Sequence, residues 1–133
     1  MGVAGMTGWL IALGGLFGAS GVALSAMAAH SPEGANLKTA ADFLLVHGPA
    51  FFALAALARA QALPRWVIVA GALALALGLA FFAGDLTRRS FTGYRLFPMA
   101  APTGGTLMIL GWAWFALAGI FSALRPAKPA KTD

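Results

Sequence analysis

Long stretches without a charged side chain divide this sequence. No charge occurs from Trp66 to Gly84. A helix needs roughly 20 apolar residues to cross the hydrocarbon core of a bilayer, which is about 30 Å thick. Similar uncharged stretches run from Met1 to Ala29, from Phe43 to Ala58 and from Leu96 to Leu124. The pattern predicts an all-α, polytopic membrane protein that folds as a bundle of four transmembrane helices.

The composition leaves little room for anything else. The chain has 133 residues, of which 60% are hydrophobic and 10% are charged, whereas soluble domains have about 25% charged residues. Four spans use most of this length, so we predict one transmembrane domain over residues 1–125 and a short basic, Pro-rich tail over 126–133, with no soluble catalytic domain. Because the chain has no cysteine, disulfides and thiolate metal sites are excluded.

The uncharged stretches and the prolines that flank them predict helices over about 7–30, 38–61, 64–84 and 103–124. The first stretch has no Lys or Arg before it and is longer than the apolar region of a signal peptide, which has about 7–15 residues. We therefore expect it to be retained as the first helix. Its small residues recur at four-residue spacing, which allows close helix packing in lipid, so we expect this helix to be the central one.

The net charge of +5 comes from bases that lie at span ends and in the tail, which favours lipid headgroups over nucleic acid as the partner. Four spans place both termini on one side of the membrane, and the slight excess of bases there predicts that both termini are cytoplasmic. The terminal side carries Arg59, Arg65, Arg125, Lys128 and Lys131, and the other side carries Lys38, Arg88, Arg89 and Arg95.

Three ionisable residues are expected at one level of the bundle. His30 ends the first predicted helix, His47 lies early in the second and Asp85 ends the third. Ionisable side chains inside a membrane usually face the bundle interior, so we predict that they form one polar cluster. At a helix C-terminus the helix dipole disfavours a carboxylate. Asp85 should therefore need a partner, which would be a histidine, Arg88 or Arg89, or N–H groups at the start of the fourth helix.

Such a cluster has a functional and a structural interpretation. It could serve as a proton relay or hold quinone, haem, lipid or a metal ion, or it could be a hydrogen-bond network that ties the loop ends together. We predict no catalytic residues, no cofactor and no metal ligands. A second set of residues is predicted to pack helices against one another: Gly14, Gly18, Gly104, Gly105, Gly111 and Trp112.

The order of several short motifs resembles a known family. These motifs are Ala29-His30, His47, Phe82-Ala-Gly84-Asp-Leu86, Pro102-Thr-Gly104-Gly105 and Gly111-Trp112. Together they resemble the small bacterial four-helix membrane proteins of the domain-of-unknown-function 423 group, which is related to transmembrane protein 256. The resemblance implies the four-helix fold and a multi-pass location in the bacterial inner (plasma) membrane. Where that family has Ser-Gly-Ser this chain has Ala83-Gly84-Asp85, so the resemblance assigns no role to Asp85.

For function, the sequence favours a non-enzymatic accessory subunit that packs against a larger membrane complex, such as a respiratory or photosynthetic one. Its partners would be that complex and membrane lipids, and a homo-oligomer is a further possibility. The alternative is a small membrane module that binds quinone, haem, metal or lipid at His30, His47 and Asp85. A channel is the least favoured interpretation, because the spans provide few polar residues to line a path through both leaflets.

Overall fold

The computed structural model describes residues 2–32 and 34–124, and all of its regular structure is helical. The four helices are α1 (Val3–Ala29), α2 (Gly34–Arg59), α3 (Arg65–Thr92) and α4 (Ala100–Ala123). Each is long and apolar enough to cross a membrane. The all-α, four-span prediction is therefore confirmed. The predicted tail, residues 126–133, lies outside the described residues.

The third helix extends further than the sequence pattern indicates. It was predicted to end at Gly84, where the uncharged stretch stops, but α3 continues to Thr92. The hydroxyls of Ser90 and Thr92 bond to carbonyls four residues earlier in the same helix. Gly93 then ends the helix with a left-handed conformation, φ 72°, which glycine adopts without steric cost. Asp85, Arg88 and Arg89 are thus helical and not part of a loop.

The helices pack in the order of the chain, α1 on α2, α2 on α3 and α3 on α4. The inner pair, α2 and α3, is the more buried, and α1 and α4 flank it. The expectation that α1 is central was therefore wrong. Small residues occur all around α1, but only the side that carries Gly14 and Gly21 faces protein. The number of small residues therefore did not indicate how much of the helix is covered.

Two of the helix contacts depend on glycine. A Cβ added at Gly14 would lie 2.9 Å from the carbonyl oxygen of Gly48, where α1 crosses α2. A Cβ added at Gly78 would lie 2.8 Å from the carbonyl oxygen of Gly104, where α3 crosses α4. The backbones approach this closely only because the side chains are missing.

The other predicted packing residues divide into two groups. Gly111 faces Leu75 of α3, and the backbone of Gly18 lies beside Gly48, so both take part in helix contacts. Gly105 has nothing within 4 Å of an added Cβ and takes no part in one. Trp112 is 46% exposed, and its contact with α2 depends on its indole N–H and is described below.

Candidate functional site

Asp85 is the centre of a polar network at the end of α3. Its side chain is fully buried. One carboxylate oxygen accepts a hydrogen bond of 2.7 Å from the backbone N–H of Leu96, in the loop before α4. The other oxygen forms an ion pair with Arg89, one turn later on α3. The expectation that Asp85 needs a partner, and that Arg89 is one, is met. Because α3 continues past it, Asp85 is not the C-terminal residue that was predicted.

The same network fixes the loop between α3 and α4. The guanidinium of Arg88 donates to the carbonyl of Leu96 over 3.4 Å, so both polar backbone groups of Leu96 bond to α3. Phe97 packs edge-on against Phe81 of α3, with ring centroids 5.3 Å apart. Asp85 and its neighbours therefore hold the connection to α4 against the end of α3.

His47 lies in a second polar contact, deeper in the bundle. It is 5% exposed. With α2 beginning at Gly34, the imidazole sits about 20 Å along a helix about 39 Å long, which is midway rather than early. Its Nδ1 is 2.8 Å from the carbonyl oxygen of Phe43, and its Nε2 is 3.1 Å from the indole nitrogen of Trp112 on α4.

These two bonds define the proton position on the His47 ring. The indole N–H of Trp112 can only donate, and the carbonyl of Phe43 can only accept. Hence Nε2 accepts and Nδ1 carries the proton, which is a neutral imidazole with both nitrogens satisfied. A ring in this state has no free lone pair for a metal or haem iron.

His30 lies apart from both networks. It follows the last residue of α1, its side chain is exposed, and its backbone N–H bonds within the last turn of α1. The structure gives His30, His47 and Asp85 separate surroundings, and no hydrogen bond joins any two of their side chains within the described ranges. No three His, Asp or Glu side chains in residues 2–32 and 34–124 come together in a way that could hold a metal ion. The predicted single cluster is thus two separate networks and one exposed histidine.

Sequence reasoning missed two of the partners. The role of Trp112 could have been anticipated, because a tryptophan in mid-helix needs an acceptor for its N–H when it is placed in an apolar environment. Arg89 was one of several partners expected for Asp85, and its four-residue spacing, at which helical side chains meet, would have selected it had the helix been predicted to continue. No sequence signal points to the N–H of Leu96, which depends on how the loop folds back.

An apolar cavity of about 540 Å³ opens between α2 and α4, below the contact of His47 with Trp112. Leu54 and Leu57 of α2 form one wall, and Phe115 and Gly119 of α4 form the other, with Leu75 of α3 at the back. Its walls carry almost no polar groups, so it suits an acyl chain or another apolar side chain and offers no chemistry of its own.

The family assignment follows from a comparison of the whole chain. The sequence pattern of a family described as "Protein of unknown function (DUF423)" matches residues 15–105. This chain belongs to the DUF423 family. The matched range runs from the middle of α1 into the first turns of α4. It includes His30, His47, Asp85 and Leu96, but it stops before Trp112. No solved structure matches the chain.

The DUF423 match confirms the resemblance that the ordered motifs suggested, and it adds no reaction or ligand. What the site can do follows from its geometry alone. The buried polar side chains of the described residues are Thr7, His47 and Asp85, and each has a hydrogen-bond partner within the chain. Buried groups that are satisfied in this way hold helices and loops in place.

Proposed function

We propose that this protein is a non-catalytic accessory subunit, embedded in the bacterial inner membrane with both termini in the cytoplasm. It packs against a transmembrane helix of a larger membrane protein complex. The contact surface is the outer face of α1, defined below by its residues. Thr7, His47 and Asp85 each make hydrogen bonds within the chain, which supports the non-catalytic part of the proposal.

The observation that carries the proposal is the composition of this outer face. It lies opposite the side of α1 on which Leu10 and Phe17 are buried. A Cβ added at Gly8 or Gly15 would meet nothing within 4 Å. All seven of its small residues are exposed and recur at three- or four-residue spacing: Ala4, Gly8, Ala12, Gly15, Ala19, Ala23 and Ala26.

The outer face of α4 carries bulkier residues. It exposes Ile109, Leu110, Leu117, Ile120 and Phe121, with the smaller Ala113 and Ala116 between them. Branched and aromatic side chains fit well among lipid chains but hold neighbouring helices apart. Both outer helices are apolar, so the difference between them is one of shape and not of hydrophobicity.

Shape determines which of these faces suits another helix, because the hydrophobic effect does not drive association between helices that are already in lipid. Faces of small residues allow two backbones to approach and to gain van der Waals contact, as in small-xxx-small helix pairs. The outer face of α1 is therefore suited to another helix, whereas that of α4 is suited to lipid. We assign the helix to a larger partner because the buried polar side chains of residues 2–32 and 34–124 are used within the fold itself.

The alternative of a cofactor module at His30, His47 and Asp85 has less support. Both ring nitrogens of His47 already have partners, Asp85 is paired with Arg89, and His30 is exposed and separate from them.

The test is purification of the tagged chain from its own membranes in a mild detergent, followed by mass spectrometry of the proteins that accompany it in stoichiometric amount. Ala19→Leu places a bulky side chain on the outer face of α1. Ala113→Leu makes the same change at an exposed position of α4 and serves as the matched control. We expect a large assembly with the wild type and with Ala113→Leu, and loss of most of it with Ala19→Leu.

All three chains should unfold at the same temperature, since neither substitution touches the bundle interior. A chain that is alone or only self-associated in all three samples would contradict the subunit role. An assembly lost equally with both variants would contradict docking through α1.

A further inference from the structure

A second cavity, of about 470 Å³, lies where the end of α3, the following loop and the start of α4 meet. Its charged lining consists of two arginine side chains, Arg89 and Arg95. Apolar side chains, among them Phe82, Leu86 and Ile109, form the wall toward the bundle. The cavity therefore combines a cationic rim with an apolar wall.

Arg89 is only partly used by the fold. Its Nη2 donates to Asp85. Its Nε is buried and has no hydrogen-bond partner among residues 2–32 and 34–124. The side chain as a whole is 30% exposed, so the rest of its guanidinium is open to the cavity.

The surrounding charge is also unbalanced. Arg95 is exposed and makes no hydrogen bond or ion pair with any residue in the described ranges, while Arg88 bonds only to a backbone carbonyl. Arg95 lines the cavity together with Arg89, and the carboxylate paired with Arg89 is that of Asp85. The other acidic residue in the described part of the chain, Asp42, is paired with Lys38 on α2. Among the residues that the structure describes, positive charge thus exceeds negative charge at the cavity.

The backbone at the start of α4 contributes little to this charge. The N–H of Ala100 donates to Phe97, and that of Thr103 donates to Met99. Pro102, which lines the cavity, has no N–H. Ala101, which also lines the cavity, keeps a backbone N–H, so the cationic character of the cavity comes mainly from the arginine side chains.

The position along α3 matches the depth of lipid phosphates. Gly84 is the last residue of the uncharged stretch, and Arg89 lies five residues beyond it, about 7–8 Å further along the helix axis. The headgroup regions add about 5–7 Å to each side of the hydrocarbon core. If α3 crosses with its uncharged stretch in the core, the arginines lie among the headgroups and the apolar wall faces the acyl chains.

We propose that this cavity binds the phosphate group of an anionic phospholipid, with the guanidinium groups of Arg89 and Arg95 as its donors. A guanidinium presents several N–H groups in a planar fork that matches phosphate oxygens. The phosphate accepts from the exposed part of the Arg89 guanidinium and from Arg95, and an acyl chain lies along Phe82 and Ile109. This inference does not depend on the subunit role proposed above.

The experiment uses the full chain in nanodiscs that contain phosphatidylglycerol and phosphatidylcholine, followed by native mass spectrometry of the released protein. Arg95→Gln removes one donor without touching any contact within the described structure. Arg59→Gln removes the same charge at the other end of the bundle and is the matched control. We expect one retained phosphatidylglycerol per chain for the wild type and for Arg59→Gln, and about tenfold weaker retention for Arg95→Gln.

Two further arms separate the sources of the phosphate and the nature of the attraction. In the first, inorganic phosphate is added at millimolar concentration. If it displaces the lipid and binds in the same cavity, the ligand is not a phospholipid and the proposal is overturned. If lipid retention is weakened equally in Arg59→Gln and Arg95→Gln, the lipid is held only by general charge attraction, and the proposed site is wrong. A circular dichroism spectrum unchanged in Arg95→Gln shows that the loss of lipid is not a loss of fold.

Discussion

The two glycine crossings of this protein look alike in backbone but differ in what surrounds them. At the first, Gly14 of α1 meets Gly48 of α2; at the second, Gly78 of α3 meets Gly104 of α4. Around the first crossing the side chains are apolar, and Phe17 packs edge-on against Phe51 with centroids 5.2 Å apart. No side-chain hydrogen bond joins α1 to α2 within residues 2–32 and 34–124.

The helix pair that makes the second crossing also has directional bonds, which lie away from the crossing itself. The indole N–H of Trp114 on α4 donates to the backbone carbonyl of Val67 on α3 over 3.0 Å, and Asp85 holds the loop that leads into α4. The helices α1 and α2 thus approach closely without such bonds, whereas hydrogen bonds also hold α4 and the loop before it to α3. The following predictions test this distinction.

The largest effect is expected for Asp85→Ala, which acts only on the α3–α4 side. It leaves Arg89 and the N–H of Leu96 without their partner. Removing one member of a buried ion pair costs about 3 kcal/mol or more. The measurement is the free energy of unfolding in mixed detergent micelles, followed by circular dichroism.

Asp42→Ala is the control for this change, because it breaks an ion pair of the same spacing whose side chains are exposed. It should cost less than about 1 kcal/mol. Equal losses in the two variants would mean that the network around Asp85 adds nothing to the second crossing.

The second largest effect is expected for Gly104→Ala at the second crossing. The variant Gly14→Ala makes the same change at the first crossing and allows the two to be compared. At Gly104 the new methyl would lie 2.5 Å from backbone atoms of both Gly78 and Phe82, which cannot move separately from α3. We expect a loss of about 1–3 kcal/mol, as for an overpacked core. At Gly14 the nearest backbone atom is at 2.9 Å and the next neighbour is the Phe52 ring edge, so the loss should be smaller.

The adjacent glycines provide matched controls. Gly105→Ala and Gly15→Ala add the same methyl where nothing lies within 4 Å. Both should leave the free energy of unfolding unchanged or raise it slightly, because alanine favours helix over glycine. If Gly105→Ala lowers the free energy of unfolding as much as Gly104→Ala does, the effect at Gly104 does not come from the helix crossing.

The smallest effect is expected for Trp112→Phe, which removes the donor to His47 and keeps an aromatic ring. Hydrogen bonds between transmembrane helices contribute about 0.6 kcal/mol on average. Trp9→Phe is the control, since the Trp9 side chain is 66% exposed. Nitrogen NMR of the wild type should show a proton on Nδ1 of His47, and a proton on Nε2 would contradict the assigned bond.

Sequence predicted the four spans well because lack of charge over a bilayer's thickness is a property of single stretches. It predicted the relations between spans less well. The number of glycines in α1 did not reveal which side would be covered, and the first charge after Gly84 was taken for the end of α3. The separation of His47 from Asp85 depends on the depth and rotation of two helices, which no pattern within one helix contains.

The order of packing along the chain bears on how the protein is made. The contact of α1 with α2 and that of α3 with α4 are each more extensive than the contact between α2 and α3, and each joins neighbours across a short connection. Chains are synthesised from the N-terminus, and contacts between close neighbours in sequence form fastest. The first hairpin can thus complete its glycine crossing while the ribosome is still producing the second, so that α3 and α4 are added to a pair of helices that is already packed.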